Sequence, residues 1–372
     1  MKRYVISFVL VMLLALPCPV ECGESTRRGL FVSMIQDPVV LSSRSDIKKL
    51  IDFAKKAKVK ILFVQVYRAN QAWFPSEIAD STPYRDCLKK VPEDPLRFLI
   101  KEAHRSGLEV HAWLNMLSLG ENKNAPFIKK YGTGILTRNT RRKFKLENYR
   151  IDNQYFLEPG DLRIREDLAK MVEEIVHLYP DLDGVQFDYV RYPDEKPAYG
   201  YTKTNMDRFK SATGLKTIDE KSVIWKDWKR AQVTESLKAF VRSARAVRPS
   251  IKVSATGCMP YSRAYHEAFQ DWPLWLNEGI VDFVTVMNYS SSPAEFESWI
   301  SAVRNKTKNF KKVNIGIGAY KLADSPSVFR REFLFSVGTG AGLLAIFHYG
   351  SLLQSPELSN FLMNNKGSNK NR

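Results

Sequence analysis

The run GVQFDYVRYP at 184–193 carries a single carboxylate, Asp188, at the end of an apolar, aromatic stretch. Val185, Phe187 and Tyr189 are strand-forming residues. Side chains alternate along a strand, so Gln186 and Asp188 share one face while those three share the other. A buried, ionised Asp is costly unless something pairs it or uses it. Arg191 and the Tyr192-Pro193 turn follow at once, as where a strand opens into a polar pocket. Asp188 is then either a structural ion-pair partner of Arg191 or a catalytic carboxylate that Arg191 keeps ionised. The second reading is preferred because of where the rest of the chain places this strand end.

Apolar β-type runs alternate with amphipathic helical runs along most of the chain. Strands are expected at 29–35, 60–67, 108–116, in the run after Asp183-Gly184 that ends at Asp188, and at 251–257, 281–289, 313–320 and 342–348. Helical spacing separates them, as in Ile47, Leu50, Ile51 and Ala54 behind a Ser45-Asp46 cap, or Leu96, Leu99, Ile100 and Ala103 between Asp94-Pro95 and Gly107. Longer helices are expected over 161–179 and 223–248. Short apolar strands joined by helices suit a parallel sheet covered on its outer face. Eight such units predict a (β/α)8 TIM barrel with loop insertions after strands 2, 3 and 4. An open doubly wound sheet is the alternative, but no GxGxxG follows the first strand and no GxxxxGK[ST] occurs in the chain.

A barrel of this kind carries its active site at the C-terminal strand ends. Read there, strand 2 offers Gln65, Tyr67 and Arg68, and strand 3 offers His111, Trp113 and Asn115. Strand 4 offers Gln186, Asp188, Arg191 and Tyr192; strands 6 to 8 offer Asn288, Tyr289, Tyr320 and His348. Amides, hydroxyls and imidazoles mixed with aromatic rings suit a sugar, which needs both hydrogen bonds and apolar stacking. Taken singly, Trp113 and Tyr289 read as core aromatics and His111 as a satisfied buried histidine. Their convergence at one rim is what points to a glycan.

GVQFDYVRYP, with HAWLN at 111–115, FLEPG at 156–160 and VMNY at 286–289, resembles the glycosyl hydrolase-like 10 family over roughly 28–351. That resemblance implies an exported bacterial barrel related to glycosidases of peptidoglycan glycan strands, with Asp188 as the central acidic residue. The family's proline-glycine turn usually carries Asp where this chain has Glu158. Many members also have a second acidic residue where this chain has Tyr189. A chitinase-type DGxDxDxE laid over 183–190 finds Gln186 and Val190 in place of two acids, so strand 4 supplies no proton donor of that type. Glycosidases use two carboxylates. Asp188 is the expected nucleophile or electrostatic stabiliser and Glu158 the first choice for the acid, with Asp194 and Glu195 next.

The chain has 372 residues, 44% of them hydrophobic, and a formal net charge of +17. Residues 1–23 read as a secretory signal: Lys2 and Arg3 precede an apolar core too short to span a bilayer. The barrel is expected over 24–355 and a polar tail over 356–372. The protein is expected to be exported to the periplasm or beyond. Cys18 and Cys22 leave with the signal, while Cys87 and Cys258 remain and could pair. No CxxC occurs and the five His are scattered, so neither a metal nor another cofactor is expected. An exported basic protein meets anionic wall polymers before nucleic acid. The expected partner is an anionic or cell-wall polysaccharide, with no nucleic acid and no integral membrane partner. The expected activity is glycosidase cleavage of such a polymer. The rival is a non-catalytic carbohydrate-binding barrel that has lost its acid.

Overall fold

The computed structural model describes residues 27–141, 145–194 and 198–365. Eight parallel strands close into a barrel: β1 Arg27–Val32, β2 Val59–Arg68, β3 Glu109–Asn115, β4 Gly184–Asp188, β5 Lys252–Cys258, β6 Phe283–Asn288, β7 Val313–Gly318 and β8 Leu343–Phe347. They neighbour one another in chain order, and β1 pairs with both β2 and β8, which closes the ring. All eight expected strands are present. Their ends differ by up to three residues, chiefly where a polar or glycine residue releases the chain from the ladder.

The helices follow from their caps and apolar stripes. Ser43 accepts the Asp46 amide to start α1 (Arg44–Lys56), which buries Ile47, Leu50, Ile51 and Ala54. Asp94 accepts the Arg97 amide, and Pro95 opens α2 (Pro95–Arg105). Asp161 caps α3 (Leu162–Leu178) and Ser222 caps α4 (Val223–Val247), and these two pack side by side outside β4. The ring continues with α5 (Trp272–Asn277), α6 (Pro293–Arg304) and α7 (Pro326–Val337). After β8 come α8 (Tyr349–Gln354) and α9 (Pro356–Asn364).

That last helix corrects the expected polar tail over 356–372. Residues 356–364 are helical because Leu358 and Leu362 are apolar at i, i+4 and are buried against the barrel. The Arg28 guanidinium locks the helix down by donating to the Ala57, Leu362 and Asn365 carbonyls at 2.8–3.0 Å. Residues 1–23, Glu195 and 366–372 lie outside the described residues. Cys87 and Cys258 are both buried free thiols, so the pairing that the sequence allowed is not made.

The insertions after β2, β3 and β4 are present. The first holds the short strand Gln71–Ala72 and the helix Thr82–Leu88. The second pairs Ser118–Gly120 with Tyr155–Phe156 and contains the helix Pro126–Tyr131. The third includes the helix Lys203–Thr213 and packs Tyr201 and Phe209 against Trp225 of α4.

The barrel bore is filled unevenly. Phe31, Ile61, Phe63, Trp113, Leu343 and Ala345 form an interior cluster separate from the main core between strands and helices. Opposite them, β4 to β7 turn polar groups inward: Ser254 donates to Gln186 at 2.5 Å, and Asn314 reaches toward Thr285. Gly184 has no side chain because His111 fills that space; a Cβ there would lie 2.5 Å from the imidazole.

Candidate active site

Asp188 ends β4 and faces the bore, as the alternation along the strand requires. It is buried yet lines an open cup of about 740 Å³ at the C-terminal rim. Three groups from three directions fix it. The Trp113 indole N–H on β3 donates to Oδ2 at 3.0 Å. The Thr256 hydroxyl on β5 donates to Oδ1 at 2.5 Å. The amide of Tyr189 donates to the same oxygen at 2.7 Å. A carboxylate has about four acceptor positions, so roughly one remains for a ligand. Tyr189 itself sits at φ 55°. A bulky side chain in this left-handed region costs about 1–3 kcal/mol, the kind of strain that gathers at functional sites. Here it turns the chain out of the strand and returns its own amide to Asp188.

The expected ion pair between Asp188 and Arg191 is not made. Arg191 pairs instead with Asp194 three residues on, and its guanidinium lies 4.6 Å from the Tyr189 ring centre. Arg263, on the short helix Tyr261–His266, approaches Asp194 at 3.6 Å. Burial works to raise the Asp194 carboxyl, but Arg191 and Arg263 outweigh it and hold it below the ordinary carboxylate range. Asp188 and Asp194 are the two carboxylates lining the cup among the described residues.

Glu158, the first choice for an acid, is elsewhere. It is fully enclosed and does not line the cup. It accepts the Tyr192 hydroxyl at 2.5 Å, Thr137 at 3.0 Å and the Gly160 amide at 3.3 Å. Burial pushes its carboxyl up against those bonds. Tyr192, expected at the rim, is turned the same way and joins this network, which ties the loop carrying Asp194 to the 156–160 turn. Nearby, burial pushes Lys229 down to about 7, against the pull of Glu158.

The remaining candidates divide by strand parity and depth. Gln65, Arg68, Trp113, Asn115, Arg191, Tyr289 and Tyr320 line the cup with Asp188. Gln65 links Ser33 (3.2 Å) to Asn115 (3.3 Å), forming a polar arc. His111 and Gln186 face inward but one layer too deep, two residues below Trp113 and Asp188. His111 is sealed between Phe63 and Phe283. Asn288 and His348 have the wrong parity. Asn288 points outward to donate to the Phe296 carbonyl on α6 at 3.0 Å, and the imidazole of His348 meets Ser351 at 3.2 Å. Their neighbours Met287 and Phe347 line the cup instead. Phe347 stacks on Tyr289 at 5.2 Å and meets Tyr320 at 5.7 Å, forming an aromatic wall. Glycine at 318 makes room for Tyr289, since a Cβ there would lie 3.0 Å from that side chain.

Several lining residues carried no expectation: Ser33, Arg263, Trp299 and Lys321. Tyr189, expected on the face opposite Asp188, also lines the cup because its left-handed backbone breaks the strand alternation, and Cys258, expected only as a partner for Cys87, lines it too. Burial pushes the Cys258 thiol up to about 11, so it is a neutral wall rather than a nucleophile. The cup's lining has four permanent cations, Arg68, Arg191, Arg263 and Lys321, against two carboxylates, a balance of 4 − 2 = +2. Among the described residues no group of three or more His, Cys, Asp or Glu is placed to hold a metal.

Residues 27–333 match the family described as Glycosyl hydrolase-like 10. The chain belongs to that family. Among curated relatives, Glycosyl hydrolase DigH of Escherichia coli strain K12 is 24% identical over 315 residues, covering 77% of this chain and 68% of that protein. Glycosyl hydrolase YngK of Bacillus subtilis is 25% identical over 322 residues, covering 76% of this chain and 57% of that protein. Among solved structures, the glycoside hydrolase domain of PgaB (BpsB) from Bordetella bronchiseptica superposes with a TM-score of 0.68 at 16% identity, over 94% of this chain and all of that one. A β-galactosidase from Bacillus circulans sp. alkalophilus gives 0.60 at 13% identity, over 92% and 56%. These two superpositions share the barrel. Within the glycosyl hydrolase-like 10 match, the two departures noted in the sequence have physical settings: Tyr189 occupies a strained left-handed position beside Asp188, and Glu158 is enclosed beneath the Asp194 loop.

Proposed function

We propose that this protein is a glycoside hydrolase of an anionic cell-wall or surface polysaccharide, such as peptidoglycan glycan strands, acting outside the cytoplasm. The observation that carries the reading is the triply hydrogen-bonded Asp188 at the centre of an open cup with an aromatic wall, a polar arc and a cationic rim. Sugar CH faces would lie on Tyr289, Tyr320 and Phe347. Hydroxyls would exchange hydrogen bonds with Gln65, Asn115 and Ser33. Arg68 and Lys321 would meet the polymer's carboxylates.

Hydrolysis of a glycosidic bond passes through an oxocarbenium-like state. Asp188 is assigned to that developing positive charge, with Trp113, Thr256 and the Tyr189 amide fixing its direction before substrate arrives. Asp194 is assigned the proton transfers, passing a proton to the departing sugar oxygen or taking one from water. The expected export signal at 1–23 and the +17 charge support a wall polymer as substrate.

A second reading is a binding barrel without chemistry. It is favoured by the two arginines that hold Asp194 deprotonated, the wrong state for donating a proton. Mass spectrometry separates the two. Purified protein is incubated with peptidoglycan, with and without stem peptides, alongside chitin and an acidic exopolysaccharide. New reducing ends from one substrate support the hydrolase. Tight glycan binding with no product over long incubation overturns it.

A further inference from the structure

A second cavity, of about 590 Å³, adjoins the cup and shares two walls with it, Pro260 and Trp299. It lies over the short helix Tyr261–His266 that follows β5 and against α6. Tyr261 and Tyr265 line it, with their ring centres 5.8 Å apart. Both rings are braced from behind. The Tyr261 hydroxyl donates to Asp271 at 2.9 Å, and the Arg230 guanidinium stacks on Tyr265 at 4.0 Å. Lys306 and His266 also line this cavity, and Lys306 Nζ stands 5.2 Å from the Tyr261 ring centre. Among the described residues, no carboxylate lines it. The Lys306 carbonyl accepts Asn277 at 2.9 Å, which anchors the backbone beneath the cation.

Immobilised aromatic rings with a cation beside them and no competing acid suit a ring with an apolar face and a negative substituent. Trp299 stands between this cavity and the cup, so one chain could pass along both. We infer that the Tyr261–Tyr265–Lys306 cavity is a remote subsite for the same polysaccharide, taking a carboxylate-bearing sugar several units from the bond cut at Asp188. This rests on the glycosidase reading of the cup. The subsite would contribute to the cleavage of long oligomers and nothing to fragments that fill the cup alone.

The test compares wild type with Lys306→Glu and Tyr265→Ala on a ladder of wall-derived oligosaccharides carrying carboxylates. Lys306 is exposed, so its reversal leaves the fold intact. Wild type should show kcat/KM rising with chain length. Each variant should lose about tenfold on long oligomers, the worth of one aromatic or charged contact, and little on the shortest cleaved fragment. Binding of the same ladder is measured in the Asp188→Asn background. Loss of affinity there for long chains alone supports the subsite even if wild type cleaves nothing, an outcome that would sink the glycosidase reading instead. Equal binding and cleavage of long chains by wild type and both variants would overturn the subsite.

Discussion

The bond from the Trp113 indole to Asp188 offers the sharpest perturbation. Trp113→Phe removes the N–H that donates to Oδ2 at 3.0 Å but keeps a ring against Phe31 and Phe347. A hydrogen bond to a charged group is worth about 1.5–3 kcal/mol. Oδ1 keeps its two donors, Thr256 and the Tyr189 amide, so the carboxylate stays in place but is free to tilt. If the donor's full worth is expressed in the transition state, kcat/KM falls roughly 10- to 150-fold, with most of the loss in kcat. The assay is reducing-end release on the preferred glycan, with glycan affinity measured in parallel. Because the two residues act as one unit, adding Trp113→Phe to Asp188→Asn should cost almost nothing more. A Trp113→Phe enzyme with unchanged kcat, or a loss that multiplies fully in the double variant, would refute the claim that the indole directs Asp188.

Three further outcomes are expected. Arg263→Gln removes one of the two cations that hold Asp194 below the ordinary range, so the acidic carboxyl persists to higher pH and the pH–rate optimum moves upward; an optimum that stays or moves down contradicts the proton-transfer role. Glu332 on α7 is buried with neither carboxyl oxygen hydrogen-bonded, and burial pushes it up to about 8. The folded state therefore holds a proton that the unfolded chain releases near its ordinary value, and stability should fall as pH rises toward 8. Glu332→Gln should flatten that decline in thermal melts, and an unchanged slope would be evidence against it. Leu362→Ala empties a buried site on α9 and should cost about 2–5 kcal/mol by urea unfolding, with glycan cleavage per folded molecule unchanged.

The barrel was readable because each of its eight strands is a compact apolar run bounded by caps and turns, and because the helices between them carry clear i, i+3, i+4 stripes. Asp188 and Trp113 were readable for the same reason: alternation along a strand says which residues share a face. What alternation does not give is absolute parity at the last residue of a strand, nor depth. Asn288 and His348 were placed one residue off, while Met287 and Phe347 hold the cup positions. His111 and Gln186 face the right way but lie one layer down, among Phe63, Phe283 and Ser254. Glu158 was drawn in by its turn motif; only the three-dimensional fold shows that the Tyr192 hydroxyl, itself met by the Asn205 amide, reaches Glu158. Arg263 and Trp299 reach the cup from elements more than 70 residues beyond Asp188, and no local signal in the sequence connects them to it.

The most direct test is paired measurement of glycan cleavage and glycan binding by wild type and Asp188→Asn on the same purified polymer. Cleavage by wild type that falls at least about 10³-fold in the variant, with affinity retained, is the expected result. A variant that cleaves as fast as wild type would show that the bond is not broken at Asp188.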